Sequence, residues 1–96
     1  MTREALEIEV FTKDNCGDCI RTKKALNAKQ IPHSTVHVAT DDLETIAGLQ
    51  DVAEQMGVAP SMPFVRVTNM TTGETEQWFG HRPDLIVQYI TTQRRK

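Results

Sequence analysis

Residues 7–19 read Glu7-Ile8-Glu9-Val10-Phe11-Thr12-Lys13-Asp14-Asn15-Cys16-Gly17-Asp18-Cys19, and the fold turns on how this stretch is parsed. Glu7 to Thr12 alternates polar and apolar side chains and then closes apolar, the pattern of a strand. Lys13-Asp14-Asn15 is turn-like. From about Cys16 to Gln30 the chain is rich in Lys, Ala and Leu, which are good helix formers. A strand that passes through a short turn into a helix puts Cys16 at the helix N-terminus. Cys16 and Cys19 are the only two cysteines in the chain.

On the first helix, Thr22, Ala25 and Leu26 share a face with Cys19, while Arg21, Lys23, Lys24 and Lys29 are left for solvent. Pro32 ends the helical region. Ser34 to Val38 is rich in β-branched residues and predicts a second strand. Asp41 followed by Glu44 has the spacing of a capping box. Leu43, Ile46, Leu49, Ala53 and Met56 then recur at helical spacing, and Gly57 stands where a C-terminal glycine belongs. A second helix is therefore expected over 42–56. Phe64 to Thr68 predicts a third strand, which Thr71-Thr72-Gly73-Glu74 turns into a fourth at Thr75 to Phe79. Pro83 to about Thr92 predicts a last helix with Leu85, Ile86, Tyr89 and Ile90 inward and Pro83 in its first turn. Arg94-Arg95-Lys96 is expected to be a solvated end.

The order is β-α-β-α-β-β-α. Strands joined through helices are expected to lie parallel with right-handed crossovers, and the terminal hairpin adds antiparallel strands. The fold class is α/β, a mixed four-stranded sheet flanked by three helices. The length of 96 residues predicts one domain over 1–96. Hydrophobic residues at 39% and charged residues at 25% are a soluble globular composition. The net charge of −2 gives no global attraction to nucleic acid or to a membrane surface. No apolar run approaches the ~20 residues that span a bilayer, and Met1 to Glu7 lacks the apolar core of a signal peptide. The expected compartment is the cytoplasm and the expected state a monomer. In the cytoplasm structural disulfides are rare, so a C-x-x-C there points to catalysis or metal.

At a helix start, unpaired N–H groups and the positive end of the dipole stabilise a thiolate. C-x-x-C thiols in such places have pKa values of roughly 3.5–7.5, against about 8.5 for a free cysteine. Lys13 and Arg21 add positive potential. Cys19, one turn further in, is expected to be the more buried. In this reading the Cys16 thiolate attacks a substrate disulfide and Cys19 resolves the mixed disulfide. Asp18 suits a helix first turn but opposes a second negative charge between the sulfurs. Gly17 either leaves the Cys16 sulfur open to a bulky substrate or is simply a glycine near a helix start. A zinc site would need two more ligands, and His33, His37 and His81 form no second paired motif. A structural staple would close only a four-residue segment and constrain the unfolded chain little.

Two further segments bear on this site. Ser61-Met62-Pro63 places a proline immediately before a strand, its natural position in a sheet. A cis Met62–Pro63 bond would hold the Met62 backbone beside the cysteines, where it could pair with a substrate strand. Cis occurs at only ~5–6% of X-Pro bonds, and Pro60 is a second candidate, so the residues alone favour a trans loop. Trp78-Phe79-Gly80-His81-Arg82-Pro83-Asp84 links the last strand to the last helix. Read locally, it is a core tryptophan, a turn glycine, an N1 proline and an acidic first turn.

Together, Thr12-Lys13 before Cys16-x-x-Cys19, Lys23-Lys24-Ala25-Leu26, a proline before strand three, and Trp78-x-Gly80-x-Arg82-Pro83-Asp84 resemble the glutaredoxin branch of the thioredoxin superfamily. The last string is most similar to NrdH-type glutaredoxin-like redoxins. The resemblance covers nearly the whole chain and implies the thioredoxin fold. It also implies a dithiol protein that reduces protein disulfides, with Cys16 as nucleophile, Cys19 as resolving thiol and Pro63 as cis proline. Lys13, Met62, Pro63, Gly80 and Asp84 fall at the substrate-binding positions. No bound cofactor is implied. Electrons would come from NADPH through thioredoxin reductase, as in NrdH-type proteins, or from glutathione, as in other glutaredoxins. The implied partner is a disulfide-containing protein, class Ib ribonucleotide reductase among them. Gly17-Asp18 departs from the apolar-Gln pair of NrdH-type proteins and from the Pro-Tyr of many glutaredoxins. Gly80-His81 stands where glutaredoxins often carry paired glycines, and His81 replaces an aromatic residue of the NrdH pattern. The alternatives are a glutathione-dependent glutaredoxin, or a metal or Fe–S module built on the same cysteines.

Overall fold

A computed structural model of the chain describes residues 6–91. The elements are β1 (Leu6–Thr12), α1 (Gly17–Ala28), β2 (Ser34–His37), α2 (Leu43–Met56), β3 (Phe64–Asn69), β4 (Thr75–Phe79) and α3 (Pro83–Ile86), whose winding widens to a π-helix over Val87–Thr91. The expected Arg94-Arg95-Lys96 end lies outside the described residues.

The strands form one sheet in the order β2-β1-β3-β4. β1 and β2 are parallel, with Thr12 opposite His37. β3 is antiparallel to β1, with Phe11 opposite Phe64, and β4 is antiparallel to β3. The expectation that both helical crossovers join parallel strands therefore holds for β1-α1-β2 and fails for β2-α2-β3. The chain leaves β2 beside Thr12 and re-enters the sheet beside Phe11, at the same end. A segment that returns to the end it left delivers an antiparallel strand, and the right-handed crossover rule does not apply to it.

Successive side chains of a strand face opposite sides of a sheet, so two cores form. On one side, Ile8, Val10, Val65, Val67 and Trp78 meet Leu26 of α1, Ile31 just beyond that helix, and Ile86 and Ile90 from the last helix. Trp78 stacks there on Tyr89, ring centroids 6.2 Å apart. On the other side, Phe64 and Phe79 pack under Ala53 of α2, with Phe11, Leu49 and Val52 at the margin. This second core is small and aromatic; Phe64 lies 5.6 Å from Phe11 and 4.7 Å from Phe79.

The caps of α2 differ in detail from the sequence pattern. Asp42, not Asp41, is the N-cap and accepts the Thr45 N–H at 3.2 Å. Gly57 closes the helix in the left-handed conformation (φ 73°), as expected. Leu43 and Met56, read as part of the apolar stripe, are exposed. They sit at the two ends of a 14-residue helix whose one buried residue is Ala53, so the stripe overhangs the core at both ends.

Candidate active site

The turn after β1 brings Asn15 into the left-handed region (φ 55°), which asparagine tolerates better than most residues. The next residue, Cys16, is the N-cap of α1 with extended backbone (φ −116°, ψ 101°). Its Sγ accepts the Cys19 N–H at 3.1 Å, so sulfur does the work usually given to a serine or aspartate oxygen. Cys16 and Cys19 are joined as a disulfide with Cα atoms 5.2 Å apart. Cys19 is 2% exposed and Cys16 8%, the order expected for a resolving and an attacking thiol.

Inside the motif, the Arg21 guanidinium nitrogens would stand 3.7 and 3.9 Å from a Cβ at Gly17, an ordinary van der Waals contact. Arg21 reaches back to pair with Asp18. The acidic residue between the cysteines is thus matched by a cation one turn along. Ile20, next to Cys19, is half exposed and gives the rim of the site an apolar side chain.

The Met62–Pro63 bond is cis, and Pro63 is buried. Gly80, at φ 91°, donates its N–H to the Pro63 carbonyl at 2.7 Å. The positive φ, which side-chain-bearing residues rarely adopt, explains why glycine stands here. Lys13 and Met62 meet across a groove of about 250 Å³, walled also by Ala39, Ile46, Leu49 and Phe79. Asp84 does not wall this groove. Arg82 Nε donates to its Oδ1 at 3.1 Å and Arg82 Nη2 to its Oδ2 at 2.8 Å, so both carboxylate oxygens are engaged. The Arg82 hydrogen bonds hold the Asp84 carboxyl below the usual carboxylate range. This lends stability above the ordinary carboxylate pKa that is lost as pH falls through the depressed native value. Both side chains are exposed, so the contribution is small.

The three histidines take three different partners. His33 Nδ1 bonds the Ile31 carbonyl at 2.8 Å, His37 Nε2 bonds Asp14 at 2.9 Å, and His81 Nδ1 bonds Thr22 Oγ1 at 2.9 Å. Among the described residues no three His, Cys, Asp or Glu side chains gather as a metal-ligand set.

A sequence model of the family Glutaredoxin matches residues 8–68, which carry the cysteine pair, α2 and the cis proline. The chain belongs to the glutaredoxin family. That family is one of thiol–disulfide oxidoreductases, and in this chain Cys16 and Cys19 stand at disulfide distance. The glutaredoxin assignment agrees with solved structures of the thioredoxin fold. Glutaredoxin-like NrdH-redoxin from Escherichia coli superposes with a TM-score of 0.60 at 19% identity, covering 86% of this chain and 93% of that one. Thioredoxin f2 of Chlamydomonas reinhardtii gives 0.58 at 16% identity, over 99% and 85% of the two chains. Reduced Schistosoma mansoni thioredoxin gives 0.52 at 17% identity, over 95% and 80%. At such identities the likeness is one of fold. No curated protein sequence matches the chain. No helix among the described residues of this glutaredoxin is long and apolar enough to cross a membrane.

Reading the sequence missed two contacts at the site. The Asp18–Arg21 pair was discoverable, because i,i+3 spacing on a helix brings side chains together. The Thr22–His81 bond joins residues 59 apart and has no local signal.

Proposed function

We propose that this protein is a dithiol reductant of protein disulfides, of the NrdH type, working through Cys16 and Cys19. The observation that carries the reading is the cysteine pair at the start of α1, with Cys16 Sγ in the N-cap position. There the helix terminus favours a thiolate once the pair is reduced. The Cys16 thiolate attacks one sulfur of a substrate disulfide. A Cys16–substrate S–S bond forms, and the first substrate thiolate leaves and takes up a proton. Cys19 gives up its proton and attacks Cys16 Sγ. The mixed disulfide breaks, the second substrate thiolate leaves, and the Cys16–Cys19 bond closes. Two electrons and two protons pass to the substrate.

The NrdH-type preference rests on Trp78, Gly80, Arg82, Pro83 and Asp84. The E. coli NrdH-redoxin that shares the fold is described as glutaredoxin-like with a thioredoxin-like activity profile. On this reading the protein is a cytoplasmic monomer recharged by thioredoxin reductase with NADPH, and its substrates include class Ib ribonucleotide reductase. The groove at Lys13 and Met62 supports a second reading, in which glutathione is the reductant.

Insulin reduction tests both. We expect turnover with NADPH and thioredoxin reductase that exceeds turnover with glutathione and glutathione reductase. Activity with glutathione alone reverses the preference, and activity with neither rejects the function. Cys16→Ser abolishes turnover, whereas Cys19→Ser accumulates a mixed disulfide visible on a non-reducing gel.

A further inference from the structure

Gly80 and His81 join three parts of the site that are distant in sequence. The Gly80 N–H holds the Pro63 carbonyl, and the adjacent His81 ring holds Thr22 on α1. Thr22 is completely buried and follows Cys19 by one helical turn; Cys19, Thr22 and Leu26 are the buried face of α1. A buried hydroxyl requires a partner. Here the partner is a half-buried imidazole delivered from the loop before α3.

We propose that His81 is a positioning residue for the dithiol, clamping the turn after Cys19 to the cis-proline loop and thereby favouring the reduced pair. The inference rests on Cys16 and Cys19 being a redox couple. In the oxidised form the S–S bond itself ties Cys16 to Cys19. Two electrons and two protons convert it to two thiols, and that tie is gone. The first turn of α1 is then held by the Cys19 N–H to Cys16 Sγ bond and by the anchoring of Cys19, Thr22 and Leu26 beneath it. The Thr22–His81 bond matters more to the reduced form, because the oxidised form has a covalent substitute for it.

The test equilibrates the full chain with a graded buffer of reduced and oxidised dithiothreitol and reads the dithiol-to-disulfide ratio by thiol alkylation and mass spectrometry. His81→Phe keeps an aromatic ring but leaves Thr22 without its partner. We expect it to shift the equilibrium toward the disulfide by about two- to fivefold, within what one neutral hydrogen bond can supply. Thr22→Val, which keeps the shape and removes the hydroxyl, shifts it equally. The double variant shifts it no further than either single one, since both remove one interaction. His81→Asn, whose amide can reach the position of Nδ1, stays within about twofold of the unaltered protein. An unchanged ratio in folded His81→Phe overturns the proposal, as does a shift toward the dithiol, additivity of the two changes, or failure of asparagine to rescue. If His81→Phe does not fold, Thr22→Val against the unaltered protein decides by the same criterion. An unaltered protein that never exchanges between dithiol and disulfide overturns this inference and the proposed function together.

Discussion

Asp18 is the residue whose meaning changes most between sequence and structure. In sequence it is a negative charge between two sulfurs, one of which must become a thiolate. In the structure Arg21 pairs with it and lies along Gly17. The two charges oppose each other's effect on Cys16. Asp18→Asn therefore lowers the thiol pKa of reduced Cys16, and Arg21→Gln raises it. The double variant lies near the unaltered protein. Titration of thiolate absorbance measures all four proteins, and two single variants that move in the same direction would sink this account. Salt should compress the differences, since both side chains face solvent.

The helices differ in what secures them. α1 begins on a sulfur cap and buries one face. α2 relies more on its ends, because Ala53 is its one buried residue. Asp41 and Asp42 stand side by side, and either satisfies the cap preference. The choice falls to Asp42 because its Oδ1 meets the Thr45 N–H. Asp42→Ala should then cost ~1 kcal/mol in denaturant unfolding, the usual worth of a cap, and Asp41→Ala much less. Equal losses from the two changes would show that the cap is shared. Leu43, 72% exposed, should tolerate a polar replacement that Leu26, completely buried, would not.

Across the molecule the two faces of the sheet are unequal. The face under α1 and the last helix holds most of the buried aliphatic side chains, while the face under α2 holds three buried residues and a margin. Hydrophobic stabilisation follows buried apolar area, so the α2 face is the weaker. It is also the face that carries the groove at Lys13 and Met62. Local opening proceeds from regions with few buried contacts. Native-state hydrogen exchange should therefore show α2 amides exchanging well before those of Val10 and Val65 at the sheet centre. Protection of α2 equal to that of β3 would contradict this ordering of the two cores.

Periodicity, caps and turn residues carried the elements. Alternation in Glu7 to Thr12, the β-branched run at Ser34 and the apolar spacing of α2 are local properties of the chain, and local physics reads them correctly. The position of Cys16 at a helix start followed from the same logic, since only a strand, a turn and a helix-forming run were needed. Three things required the folded molecule. The direction of β3 depends on which end of the sheet the chain re-enters, and no nearby residue encodes it. The cis state of Met62–Pro63 was legible only through family resemblance. The attachment of His81 to Thr22, like that of Gly80 to Pro63, exists because the sheet order folds the last loop onto the first helix. Sequence thus determines which residues can do redox chemistry, through local conformation and thiol acidity. Tertiary structure decides what surrounds them, because a contact between residues 59 apart is set by topology.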